Sequence, residues 1–154
     1  LANAADASRR ELTLREHLSR VPVKEVMDPD PETISPTTSV ARLVQEIFLQ
    51  HGRRAAPVCQ NDRVVGIVTL PDVKGVPQQR WAETPVEMVM TKAPLRHVRA
   101  DDDLSLAMKL LSEHNLNQLL VLQEERLAGL ISRADIIRYL QVQQELGIKP
   151  KRLT

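Results

Sequence analysis

An internal repeat constrains the fold of this chain more than any other feature of its sequence. The pattern Val-x-x-Val-Met begins at Val23 and again at Val86. The pattern Gly-x-x-Thr/Ser-x-x-Asp begins at Gly66 and again at Gly129, so both patterns recur at an offset of 63 residues. Two copies at one spacing predict that the halves of the chain fold alike.

Hydrophobic periodicity predicts the same order of elements in each copy: an extended piece, an amphipathic helix, two strands and a closing helix. These elements cover residues 33–35, 40–48, 55–59, 64–69 and 69–76 in the first copy, and 95–98, 104–114, 117–122, 126–131 and 133–146 in the second. Between the two patterns the offset rises to 64, as from Val58 to Leu122. We therefore predict one residue gained before the helix of the second copy and one lost in its hairpin.

The predicted fold class is α/β (α+β), with two β-α-β-β-α units packed as a pseudo-twofold pair within one chain. A unit of about 60 residues is only marginally stable alone, which favours packing of the copies against each other. The predicted organisation is a connecting helix in residues 1–20, a first unit 21–76, a linker 77–85, a second unit 86–146 and a tail 147–154. Leu14, Leu18 and Val21 form the apolar stripe of the connecting helix, and Trp81 is expected to cover the edge of the core.

Composition excludes several classes of protein. The 21 Lys and Arg residues against 20 Asp and Glu residues, together with only three aromatic side chains, argue against binding of nucleic acid. A single cysteine favours a reducing, cytoplasmic setting. Apolar runs are too short for direct membrane insertion of this portion. Because residue 1 is Leu, we expect a portion of a longer protein, which could be the cytosolic portion of a membrane protein.

The repeated Thr/Ser-x-x-Asp carries the strongest chemical signal, and it has two interpretations. Thr69 with Asp72, and Ser132 with Asp135, fit helix N-terminal capping boxes. A hydroxyl, backbone N–H groups and a carboxylate at the start of a helix also suit a nucleotide. The residues alone do not decide between these two roles.

Other chemistry has little support in the sequence. The four histidines are scattered, so no metal site is expected, and no grouping supports a catalytic residue or an enzyme. Arg53 and Arg54, at a helix end, could complement the helix dipole or reach a phosphate across a cleft. No cofactor is expected to be required.

The sequence resembles tandem cystathionine-β-synthase (CBS) domains, also called Bateman modules. The resemblance rests on the repeated Val-x-x-Val-Met, on Ala56-Pro57-Val58 and on the doubled Gly-x-x-Thr/Ser-x-x-Asp. It implies a regulatory module that binds AMP, ADP, ATP or S-adenosylmethionine in two clefts between the units. Each Asp would then bind ribose, and each Thr or Ser would lie near phosphate. Adenine would lie along the early strands, at Thr33-Ile34 and His97-Val98.

Two details of the resemblance lead to further expectations. Pro71 removes a backbone N–H between Thr69 and Asp72, so we expect the better ligand site at Ser132 and Asp135. Arg133, next to Ser132, could contact phosphate there, or it could be a solvated surface side chain.

Residues 70–81 are similar to the CBS pairs of site-2-protease-like membrane zinc metallopeptidases, although no His-Glu-x-x-His motif occurs in this sequence. The resemblance thus implies an effector domain in the same longer chain, and a homodimer. The alternative function is a structural dimerisation module that binds no ligand.

Overall fold

A computed structural model describes residues 15–149 of the chain, and its mixed α+β architecture confirms the predicted fold class. In chain order the main elements are α1 (Val40–Arg42, continued by the π-helix Leu43–Gln50), β1 (Ala55–Gln60), β2 (Arg63–Thr69), α2 (Leu70–Lys74), β3 (Thr91–Lys92), β4 (His97–Val98), α3 (Leu104–Glu113), β5 (Gln118–Gln123), β6 (Arg126–Ser132) and α4 (Arg133–Leu146). Short 3₁₀ helices cover Val23–Glu25, Gln78–Glu83 and Val86–Met88.

The strands form two small sheets, in the orders β1-β2-β3 and β4-β5-β6. In each sheet a hairpin is joined by a parallel partner, which is Ile34 opposite Val58 in the first sheet and β4 beside β5 in the second. The first hairpin turns at Asn61 and Asp62, whose φ angles of 54° and 65° suit a tight two-residue turn between twisted strands. The predicted hairpins are thus present in both halves.

The structure corrects the predicted position of the length change between the two copies. Val58 pairs with Gly66 and Val121 pairs with Gly129, so the two hairpins keep an offset of 63 and none of their residues is lost. The helices differ instead: their N-caps Ser39 and Asp103 are 64 residues apart, whereas their C-caps His51 and His114 are 63 apart. The extra residue lies in α1, where the wider π-helix accommodates it.

The segment that begins each copy packs against the unit of the other copy. Residues 21–28, the first crossing segment, join the second unit, because Val23 lies in its core and Asp28 pairs with Leu130. Residues 85–92, the second crossing segment, join the first unit through the buried Val86 and through the pairing of Thr91 with Ile67. The predicted unit boundaries follow the repeat along the chain, but each packed unit contains residues from both copies.

Each unit has its own hydrophobic core. The second core includes Leu18 and Val21 from the expected connecting helix, both at most 1% exposed. Trp81 is partly buried against the first core, and its Nε1 donates a hydrogen bond of 2.9 Å to the carbonyl of Val76.

The helix expected at residues 3–20 falls mostly outside the described residues, of which 15–18 are helical. None of the helices within residues 15–149 has the length and apolar character needed to cross a membrane.

Asp103 caps α3 and also holds the residue that precedes the first crossing segment. Its Oδ2 accepts a hydrogen bond of 2.8 Å from the Arg20 N–H, and its Oδ1 accepts bonds from the Ser105 N–H and hydroxyl. Burial opposes ionisation of this carboxyl, but the hydrogen bonds from Arg20 and Ser105 outweigh burial and lower its pKa. A lowered pKa stabilises the folded state at neutral pH, and that stabilisation is lost as the pH falls through the folded-state pKa.

Asp103→Ala should therefore lower the free energy of unfolding at pH 7 by about 1 kcal/mol, the usual cost of losing an N-cap. The difference from the unchanged protein should shrink when urea unfolding is repeated below the ordinary carboxyl pKa of about 3.9. Asp101→Ala is the control, because Asp101 pairs with Lys24 in an exposed ion pair and should matter much less. A loss that is the same at every pH would contradict this assignment.

Candidate functional site

Both Thr/Ser-x-x-Asp patterns form caps at the start of a helix. The Ser132 N–H donates to Asp135 Oδ2 over 3.0 Å, and the Asp135 N–H donates to Ser132 Oγ over 3.0 Å. At α2, Asp72 Oδ2 accepts from the Thr69 N–H at 2.9 Å and from the Thr69 hydroxyl at 3.0 Å. The capping interpretation therefore holds for the geometry of both copies, and it leaves open a second role for the same groups.

The first cleft lies between the two units and has a volume of about 340 Å³. Its wall from the first unit includes Thr69, Leu70 and Thr91, and its wall from the second copy includes Leu95 and Leu116. Three cations also line it, namely Arg54, Lys74 and Arg96, and no carboxylate does. An apolar cleft edged by unopposed positive charge suits a ligand with a flat apolar part and an anionic part.

The second cleft is the pseudo-twofold counterpart of the first and has a volume of about 450 Å³. Ser132, Arg133 and Asp135 form one wall, and Asp28 and Arg53 also line it. Arg53 Nη1 lies 2.9 Å from Asp28 Oδ2 in an ion pair, and Asp135 Oδ1 accepts a 2.8 Å bond from Arg138. The charges of this cleft are therefore largely matched within the protein.

Arg133 lines the second cleft, and its guanidinium already has partners within the protein. Its Nε donates to the Leu116 carbonyl at 2.6 Å and its Nη2 donates to the Leu111 carbonyl at 2.7 Å. Both carbonyls belong to the C-terminal end of α3 or the turn after it, where backbone acceptors lack helical partners. The partly buried guanidinium thus holds the helix end, and binding of phosphate would compete with that role.

None of the four expected adenine-binding residues is among those that line the two clefts. Thr33 and Ile34 line a shallow depression of about 240 Å³ together with His51, apart from both caps. Val98 is only 2% exposed within the second core, and the Nδ1 of the exposed His97 lies 2.9 Å from the Leu95 carbonyl.

The residues just before β4, Pro94 to Arg96, line the first cleft instead, and Asp72 is not among its lining residues. No repeated pattern marks Arg96 or Lys74, so neither could be identified as a site residue from the sequence. Arg54 lines both clefts, which agrees with one of the two roles considered for it.

Cys59, the only cysteine, has no features of a reactive nucleophile. Burial, with a smaller contribution from Asp62, raises the pKa of its thiol, which disfavours the thiolate. Among residues 15–149, no group of three or more His, Cys, Asp or Glu side chains could hold a metal ion.

Comparison with known families decides the identity of the repeat. The CBS domain family matches residues 23–77 and again residues 86–142. The chain belongs to the CBS domain family. Modules of this family are typically regulatory rather than catalytic.

The solved structures of CBS pairs that resemble this chain share its fold over most of its length. The CBS domain pair of protein MJ0100, in complex with 5′-methylthioadenosine and S-adenosylmethionine, has a TM-score of 0.70 at 20% identity and covers 80% of this chain and 98% of its own. CBSX2 in complex with AMP has a TM-score of 0.69 at 26% identity, with 79% and 98% covered. In both comparisons, this chain matches nearly all of the solved CBS pair, namely 98% of its residues.

Relatives in sequence include longer proteins. A zinc metalloprotease of Methanocaldococcus jannaschii is 24% identical over 138 residues, which are 90% of this chain and 38% of that protein. A CBS domain-containing protein of Bacillus subtilis, YhcV, is 26% identical, with 74% and 81% covered. The chain thus spans little more than a third of the metalloprotease relative, consistent with the resemblance to metallopeptidase-associated CBS pairs.

Proposed function

We propose that this CBS pair is a regulatory module that binds an adenosine-containing ligand between its two units and transmits the resulting change in their packing to an effector. The observation that carries the proposal is the pair of pseudo-equivalent clefts, each lined by apolar side chains and by the hydroxyl residue of a cap, Thr69 in the first and Ser132 in the second, where Asp135 also lines the cleft. CBS pairs of the same fold bind AMP in one case, and 5′-methylthioadenosine and S-adenosylmethionine in another. A ligand that prefers one arrangement of the units shifts the population toward it.

The first cleft is our choice for a ligand that carries phosphate, which reverses the order expected from the sequence. Pro71 does remove one backbone N–H there, but Arg54, Lys74 and Arg96 line that cleft without an opposing carboxylate. In the second cleft, Arg133 is occupied by backbone carbonyls and Arg53 by Asp28. We expect these three cations to favour phosphate binding in the first cleft more than the missing N–H of Pro71 disfavours it.

Titration of AMP, ADP, ATP and S-adenosylmethionine during thermal melting tests the proposal. A ligand at 100 times its Kd should raise the melting temperature by several degrees. Lys74→Ala should weaken binding of the active phosphate ligand by about tenfold, because it removes one charged contact. The matched control is Lys92→Ala, an exposed Lys that does not line either cleft. If none of the four compounds shifts the melting temperature, the module does not sense adenosine ligands.

The effector and the cellular setting belong to the same proposal. The relatives named as zinc metalloproteases are longer than this chain, which supports an effector domain in the same longer protein. The resemblance of residues 70–81 to the CBS pairs of membrane zinc metallopeptidases is our reason for placing the module on the cytosolic side of a membrane. The module would then report ligand supply to that domain.

A structural dimerisation module is the second candidate, and one observation favours it. Large apolar side chains are exposed on the described surface, with Met88 at 71%, Leu146 at 69% and Leu49 at 67%. Light scattering would show a homodimer, and a strong dimer that no adenosine ligand affects would support this candidate over ligand sensing.

A further inference from the structure

The two clefts differ at several equivalent positions, and two of these pairs involve an ion pair. At the offset of 63 residues, Asp28 corresponds to Thr91 and Arg53 corresponds to Leu116. Asp28 and Arg53 line the second cleft, and Thr91 and Leu116 line the first. An ion pair in one cleft therefore stands where a hydroxyl and an apolar side chain stand in the other.

The Asp28 carboxylate is held firmly in the wall of the second cleft. Its backbone exchanges two hydrogen bonds with Leu130, at 2.9 and 3.0 Å. Its Oδ1 accepts a 3.0 Å bond from the Asp30 N–H, and its Oδ2 lies 2.9 Å from Arg53 Nη1. Strand pairing thus fixes the backbone of Asp28 in the wall, and rotation of its carboxylate out of the cleft would break the bond from Asp30 and the ion pair.

The lining charges give the two clefts different preferences. The second cleft has Arg53, Arg54 and Arg133 against Asp28 and Asp135, a formal sum of three minus two, or +1. The first has three cations and no carboxylate, or +3. Among residues 15–149, none of Arg54, Lys74 and Arg96 forms an ion pair.

We infer that Asp28 makes the second cleft select an adenosine ligand with an uncharged or positively charged 5′ substituent, such as a thioether or a sulfonium, while the first cleft takes the phosphate-bearing ligand. This inference rests on the proposed function, since it divides ligand classes between the same two clefts. It assigns to Asp28 a role in ligand specificity that the repeated motifs do not reveal.

The physical reason is the cost of a phosphate beside a fixed carboxylate. A phosphate in the second cleft either lies near Asp28 and is repelled, or takes Arg53 from it and leaves a half-buried carboxylate without its partner. A thioether causes neither cost, and a sulfonium cation is attracted by Asp28. One unit charge within about 10 Å at an effective dielectric constant of about 20 changes affinity by about tenfold or more.

Exchange of the two equivalent residues tests the inference, with AMP and 5′-methylthioadenosine as probes in isothermal titration calorimetry. The unchanged chain should bind one AMP and, with AMP saturating, one 5′-methylthioadenosine. Asp28→Thr should create a second AMP site. Thr91→Asp should weaken AMP binding at the first cleft by about tenfold or more and leave binding of 5′-methylthioadenosine unchanged. Thermal melting of each variant checks its folding, and Asp28→Asn, which removes the charge but keeps the side-chain shape, replaces Asp28→Thr if that variant unfolds.

The outcomes separate this inference from the proposed function. Two equal AMP sites in the unchanged chain, or an AMP stoichiometry that stays at one after removal of the Asp28 charge, would overturn the division of ligands and keep the sensing function. Displacement of 5′-methylthioadenosine by AMP would also overturn it. If neither probe binds, the inference fails, whereas the proposed function fails only if ADP, ATP and S-adenosylmethionine also leave the melting temperature unchanged.

Discussion

Leu18→Ala should lower the free energy of unfolding by about 2 to 5 kcal/mol, the usual cost of truncating a fully buried Leu to Ala. Leu18 precedes the first copy of the repeat, yet it is only 1% exposed and belongs to the core of the second unit, with Leu104, Leu111 and Ile131. Truncation would leave a cavity in this core. Chemical denaturation with urea measures the effect.

Leu49→Ala is the matched control for this prediction. Leu49 lies on α1 and is 67% exposed, so the same change should cost about 0.5 kcal/mol or less. If the two variants were equally stable, Leu18 could not contribute to the second core, and the crossing of the chain between units would be in doubt.

Gly129→Ala should destabilise the chain by about 2 to 3 kcal/mol, as expected for overpacking at a site that cannot relax. A methyl group at this position would lie 2.6 Å from the Asp28 carbonyl oxygen and 2.7 Å from Met27 Sδ. The Met27 side chain can move, but the Asp28 carbonyl is fixed because it accepts a hydrogen bond from the Leu130 N–H. The variant should melt at a lower temperature, which calorimetry would measure.

Gly75→Ala provides the opposite expectation in the same chain. A methyl group there has its nearest heavy atom 3.8 Å away, and the φ angle of −76° suits any residue. This variant should keep its stability or gain up to about 1 kcal/mol, because Ala restricts the unfolded chain. Equal destabilisation by both changes would show that the close approach of the first crossing segment is not what requires glycine at position 129.

The elements that the sequence predicted best are those with local causes. The closing helix 133–146 has the predicted bounds, because a capping box at Ser132 begins it and Gly147, at a φ of 65°, ends it. Alternating burial in β2 and β6 follows the β-branched and apolar runs of the hairpins. Capping, turn chemistry and periodicity act within a few residues, so they can be read from the chain alone.

The candidate site was only partly predictable. The repeat marked Thr69 and Ser132, which do line the two clefts. It did not mark Lys74, Arg96 or Asp28, because these residues differ between the copies. Their contribution to ligand binding depends on the residues that face them across the cleft. For the same reason, the sequence could not show that Arg133, which it marks as a possible phosphate contact, also donates to the carbonyls of Leu111 and Leu116.

The sequence by itself determined that the chain folds as two like units, where their hairpins and capped helices lie, and to which family it belongs. Only the tertiary structure decided that residues 21–28 and 85–92 cross to the opposite units, and therefore which charges meet in each cleft. The physical reason is that the apolar patterns of the two copies are nearly interchangeable. Each crossing segment could satisfy either core by pattern alone, and only the three-dimensional packing selects one.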